Sequence, residues 1–130
     1  MIEQTKNNIS VLISDDEEEF ASTLQTRLNL RKFKASMTNS GQEALEAINR
    51  DPPDVLVLDL KMPDLDGLEV LTRVKESHPD VQVIILTGHG SFEAGREGME
   101  RGAFDYLMKP VDLNQLITRI EEASQATLAG

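Results

Sequence analysis

Five residues that follow apolar runs could do chemistry together. Asp15 and Asp16 follow Ile9–Ile13, a run interrupted only by Ser10. Asp59 follows Val55–Leu58, Thr87 follows Val81–Leu86, and Lys109 follows the short aromatic stretch Phe104–Met108. Carboxylates held within a few ångström raise one another's pKa unless cations compensate, and one lysine leaves a deficit of about two charges. Mg²⁺ suits that deficit, because it binds through one or two carboxylates and keeps several waters. Zinc has nothing to hold it, since the chain has no Cys and no His pair at metal spacing. Mg²⁺ beside a carboxylate, a hydroxyl and a lysine is what phosphoryl transfer requires, where catalysis is mostly positioning and charge stabilisation. An Asp carboxylate can then act as nucleophile and form an aspartyl-phosphate.

These residues work together only if the fold gathers them. The three longer runs lack polar alternation, which predicts strands covered on both faces. Phe33, Ala35 and Met37 alternate with Lys34, Ser36 and Thr38, and Pro110 ends the run at Phe104–Met108; these predict edge strands. Between the runs lie helical patterns: Phe20, Leu24 and Leu28; Ala44, Leu45 and Ile48; Leu68, Leu71 and Val74; and Leu113, Leu116, Ile117 and Ile120. Ser40, Asp66 and Asp112 are candidate N-caps. Five strands each followed by a helix predict an α/β fold, a (βα)5 doubly wound parallel sheet. Right-handed crossovers with two edge strands fit the flavodoxin-like order 2-1-3-4-5. Ligands bind beyond the carboxyl ends of such strands, so the five residues would share one rim.

One helical stretch, Ser91–Arg101, is weak. Its Gly95 and Gly98 each cost about 1 kcal/mol against Ala in a helix interior. Either the helix packs closely there or it is left marginal because it moves.

Composition narrows the function. The chain has 130 residues, 39% apolar and 28% charged, which fits one globular domain. Its net charge of −10 repels phosphate backbones, so no direct nucleic-acid binding is expected of this domain. No apolar run approaches the length of a membrane span, and the first eight residues lack the apolar core of a signal peptide. The expectation is a soluble, cytoplasmic domain. Its organisation reads as a flexible segment over 1–8, a folded domain over 9–124 and a tail over 125–130.

Four stretches together carry a resemblance: Val11-Leu12-Ile13-Ser14-Asp15-Asp16-Glu17; Leu58-Asp59-Leu60-Lys61-Met62-Pro63 with Gly67; Leu86-Thr87-Gly88; and Tyr106-Leu107-Met108-Lys109-Pro110. In this order and at these separations they resemble a response-regulator receiver domain of two-component signalling, over about residues 9 to 122. Thr87-Gly88-His89-Gly90-Ser91 is similar to receivers of the nitrogen-regulator class. The resemblance implies that Asp59 is the phosphoacceptor and Asp16 a direct Mg²⁺ ligand. It makes Asp15 an acid acting through metal-bound water, and the backbone carbonyl of Lys61 a further ligand. Lys109 would bind the phosphoryl oxygens, Thr87 would swing towards them, and Tyr106 would be the aromatic switch that turns inward. It also implies a cis Lys109-Pro110 bond, and an influence of positions 61 and 89, here Lys61 and His89, on dephosphorylation. The implied partners are a sensor histidine kinase or histidine phosphotransfer protein, an output domain or effector protein, and a homodimer formed on phosphorylation. The domain would be a switch rather than an enzyme with a separate substrate, either free-standing or part of a longer regulator.

Other readings fit less well. An aspartate-nucleophile phosphohydrolase of the haloacid dehalogenase type wants a second Asp two residues after the first, where this chain has Lys61. A flavin binder would need a phosphate cradle where Asp15–Glu19 would repel one. A pseudo-receiver working without phosphate does not need the full acid, Thr and Lys set. Glu17, Glu18 and Glu19 read as a solvated helix start. Asp64-Leu65-Asp66-Gly67 lacks the remaining ligands of a calcium loop and reads as a turn into a helix. His78 reads as a helix-end residue without a role.

Overall fold

The computed structural model of the chain describes residues 8–88 and 92–129. Five strands alternate with five helices: β1 Ser10–Ser14, α1 Glu18–Leu30, β2 Lys34–Thr38, α2 Gly41–Arg50, β3 Val55–Asp59, α3 Gly67–Ser77, β4 Gln82–Thr87, α4 Phe92–Glu100, β5 Asp105–Met108 and α5 Leu113–Ala129. The sheet order is β2-β1-β3-β4-β5 with every pairing parallel, as the sequence patterns predict. His89 and the expected helix start at Ser91 lie outside the described residues, as does the segment 1–7.

The unbroken apolar runs follow from two separate cores. Val11, Ile13, Val55, Val57, Ile84 and Leu86 point to one face, under α1 and α5, with Leu24, Leu28, Leu116 and Ile120. Leu12, Leu56, Leu58, Val83 and Ile85 point to the other, with Ile48, Leu71 and Val74. Each fully buried aliphatic side chain contributes about 1.5–3 kcal/mol, so β3, buried along its whole length, anchors the sheet. The edge strand β2 is only half-covered, with Lys34 and Ser36 exposed.

The helix starts use the expected caps. Ser40 Oγ accepts from Glu43 N, Asp66 Oδ1 from Leu68 N and Asp112 Oδ1 from Asn114 N. His78 ends α3, and its Nε2 lies 2.9 Å from Asn49 Oδ1 on α2. Close packing accounts for the two glycines of α4. A Cβ on Gly95 would come within 2.5 Å of the Tyr106 ring, and one on Gly98 within 2.1 Å of Ile85 Cδ1. Their bare backbones let α4 lie directly on β4 and β5.

Asp59 ends β3, as the sequence reading has it, and β4 runs one residue past its apolar run, so Thr87 is the last residue of a strand. Asp59 keeps its register with Leu86, and Thr87 with Met108. The sheet's hydrogen bonds thus hold both backbones.

Candidate functional site

At the carboxyl rim of the sheet, Asp15, Asp16 and Asp59 each offer a carboxylate oxygen, and these atoms lie within 4.8 Å of one another. Asp15 and Asp59 are buried, while Asp16 is exposed. Asp15 turns the chain out of β1: its Oδ1 accepts from Glu17 N at 2.9 Å, and its own N–H donates to Thr38 O at 3.1 Å. Asp59 Oδ1 accepts from Lys61 N at 3.2 Å.

Lys109 enters from the end of β5, where its backbone N–H donates to Thr87 O at 2.7 Å and its peptide bond to Pro110 is cis. Its Nζ lies 2.7 Å from Glu17 Oε1, 2.8 Å from Asp15 Oδ2 and 3.6 Å from Asp59 Oδ2. The ring of Phe20 covers the ammonium, with its centroid 4.5 Å from Nζ. Burial on its own would lower the lysine pKa, but the bonds to Asp15 and Glu17 and the charge of Asp59 more than offset it. The ammonium therefore stays charged throughout the physiological range.

Asp59 shows the opposite balance. Burial, with the neighbouring charge of Asp15, lifts it to about 6, against the opposing pull of the Lys61 N–H and of Lys109. One ammonium does not neutralise this cluster. Asp15 Oδ2 is also buried, with the Lys109 ammonium 2.8 Å away. Hard oxygen donors, excess negative charge and an open side fit a divalent cation such as Mg²⁺. The open side is a groove of about 460 Å³ lined by Asp16 and by residues of the loop from Leu60 to Asp66.

Of the remaining expected residues, Lys61 and Thr87 sit around this centre. Lys61 borders the groove and contributes its amide to Asp59. Thr87 is buried at the rim, and its hydroxyl donates to Met108 Sδ at 3.1 Å. Tyr106 lies elsewhere, half-buried on the outer part of β5 against Gly95 and edge-to-face with Phe92, centroids 6.4 Å apart.

Two residues take parts that the sequence did not reveal. Glu17, read as a solvated helix residue, is exposed but binds the Lys109 ammonium, which holds its carboxyl below the usual carboxylate range. Asp64, read as part of a turn, accepts from the amides of Gly41 and Gln42 on α2. Neither partner is close in sequence, so local spacing carried no signal for either.

Comparison with known proteins places the chain in a family. Residues 11–121 match the model of the family described as response regulator receiver domain. The chain belongs to that family. The receiver domain is 38% identical over 117 residues to the response regulator MprA of Mycobacterium leprae, covering 90% of this chain and 51% of that protein. It is 36% identical over 111 residues to the DNA-binding transcriptional regulator NtrC of Klebsiella pneumoniae, covering 85% of this chain and 24% of that one. It thus spans about half of the one relative and a quarter of the other. Among solved structures, the receiver domain of the Francisella response regulator 1452 superposes with a TM-score of 0.85 at 34% identity, covering 92% and 99% of the two chains. The receiver domain of NtrX from Brucella abortus gives 0.84 at 31% identity, covering 88% and 98%. Among the described residues, no helix is long and apolar enough to cross a membrane.

Proposed function

We propose that this receiver domain, spanning residues 9–124, is a phosphorylation switch whose acceptor is Asp59. The observation that carries the reading is the juxtaposition of three carboxylates within 4.8 Å with the ammonium of Lys109. Asp15, Asp16, Asp59 and the backbone carbonyl of Lys61 would hold Mg²⁺. When bound, the ion supplies positive charge to the transferring phosphoryl group.

The donor is a phosphohistidine of a sensor kinase or histidine phosphotransfer protein. An Asp59 carboxylate oxygen attacks phosphorus, the P–N bond breaks, and its electron pair returns to the imidazole. Lys109 meets the equatorial oxygens, where charge accumulates. Asp59, as the last residue of β3 and in register with Leu86 of β4, is held still for in-line attack.

The product adds negative charge and strong acceptor oxygens at the rim. Thr87 exchanges its weak bond to Met108 Sδ for one to a phosphoryl oxygen, drawing the end of β4 with it. The surface formed by α4, β5 and α5, including Tyr106, is where that change is read by an output domain, an effector or a second copy of the chain. The aromatic packing of Tyr106 on Gly95 and Phe92 links β5 to α4 and supports this choice of surface. The domain catalyses only its own phosphorylation and dephosphorylation, and it acts in the cytoplasm.

Incubation with acetyl phosphate and Mg²⁺ should label the chain once, and Asp59→Asn should abolish the label. Stoichiometric labelling of that variant would overturn the assignment. Thr87→Ala and Lys109→Ala should instead blunt the conformational response, read as the change in amide exchange of α4; a normal response in both would refute the switching route.

A further inference from the structure

We infer that the N-terminus of α2 braces the two loops that hold the metal ligands, with Asp64 and Asn39 as positioning residues. The inference rests on the metal reading above. Neither residue belongs to the acidic cluster, yet each hydrogen-bonds one ligand loop to the short segment Asn39–Gln42.

On the side of β3, Asp64 Oδ1 accepts from Gly41 N and Oδ2 from Gln42 N, both at 3.0 Å. These are the first two amides of α2; Ser40 Oγ takes the third, from Glu43, at 3.1 Å. The carboxylate that caps α2 therefore comes from a different loop, three residues beyond Lys61. The two amides lower the Asp64 carboxyl below the usual carboxylate range, which favours its charged form. Gly41 makes the approach possible, because a Cβ there would come within 2.8 Å of Leu65 Cβ.

On the side of β1, Asn39 Nδ2 donates to the backbone carbonyl of Asp15 at 3.0 Å. Asn39 is itself fixed, its N–H donating to Glu43 Oε1 at 3.1 Å. Ser14 Oγ adds a longer bond, 3.4 Å, to Ser40 O. Four consecutive residues, Asn39 to Gln42, thus tie the Asp15 turn to the loop that carries Lys61. Mg²⁺ demands near-ideal octahedral geometry and dehydrates reluctantly, so loops free to drift apart bind it poorly. Partners behind the ligands typically matter about 10- to 100-fold in metal affinity.

The test is metal binding itself. Free Mn²⁺ is counted by electron paramagnetic resonance in titrations of the whole chain, with Mg²⁺ as competitor, well below the melting temperature. Asp64→Asn replaces one acceptor by a donor facing an amide, and Asn39→Ala removes the other arm without changing any charge. Each should raise the Kd for Mn²⁺ by about tenfold. Ser40→Ala removes a cap of α2 but neither arm of the brace, and should lower the melting temperature while leaving Kd within about twofold. If the unaltered chain binds no Mn²⁺, the metal reading fails. If it binds, and Asn39→Ala and Asp64→Asn bind as tightly, the brace is refuted. Equal weakening in Ser40→Ala would refute it as well, since capping of α2 would then be the whole effect.

Discussion

The Lys109 ammonium lies 2.7 Å from Glu17 Oε1, a residue 92 positions earlier, and is closer to it than to Asp59 Oδ2, at 3.6 Å. An incoming phosphoryl group must therefore share the lysine with an exposed carboxylate at the mouth of the site. Glu17→Gln removes that competitor and one repulsive charge on the path of an anionic donor. Phosphorylation by limiting acetyl phosphate, followed by rapid quench, should run about two- to fivefold faster. An unchanged or slower rate would mean that Glu17 orients the lysine rather than detaining it.

Asp59 sets a pH dependence. Burial raises it from 3.8 to about 6, so the folded state ionises this group later than the unfolded chain does. Its contribution to stability is complete below the unfolded value and is lost as pH rises through about 6. Without metal, Asp59→Asn should therefore equal the parent near pH 4 and exceed it at pH 7.5. An advantage of about 1 kcal/mol is expected, since solvent and Lys109 screen part of the penalty. Urea melts of both proteins across this range decide it. Saturating Mg²⁺ should reverse the order by stabilising the parent through mass action, roughly 2.7 kcal/mol at a hundred times Kd.

The glycines of α4 offer a test of packing. Alanine gains about 1 kcal/mol of helix propensity, but overpacking typically costs about 1–3 kcal/mol. Gly98→Ala drives its methyl towards Ile85 and should lower the urea midpoint; a raised midpoint would show that the side chain yields freely. Gly95→Ala should displace the Tyr106 ring instead. That ring is a clean optical reporter, since the chain has one Tyr and no Trp, and an unaltered near-ultraviolet dichroism spectrum would contradict the contact.

The strands and their faces were legible because burial imposes period. Val55 to Leu58 is apolar throughout since consecutive residues enter different cores, Val55 and Val57 under α1 and α5, Leu56 and Leu58 under α2 and α3. Parallel strands present their carboxyl ends on one side, so residues following the apolar runs had to meet there. Less was legible at the margins. The expected strand end fell one residue short at Thr87, because backbone pairing continues past the last apolar side chain. The choice between close packing and mobility at Gly95 and Gly98 stayed open, since a missing Cβ says nothing about what lies opposite.

From the chain alone came the layered sheet, its strand order and the company of Asp15, Asp16, Asp59, Thr87 and Lys109 on a single rim. These depend on spacing along each segment and on the handedness of crossovers, which sequence carries directly. Only the tertiary structure decided which acid binds the ammonium, where the Thr87 hydroxyl points, and that Asp64 serves α2 rather than its own helix. Such pairings join distant segments, and they are set by how two loops cross in space.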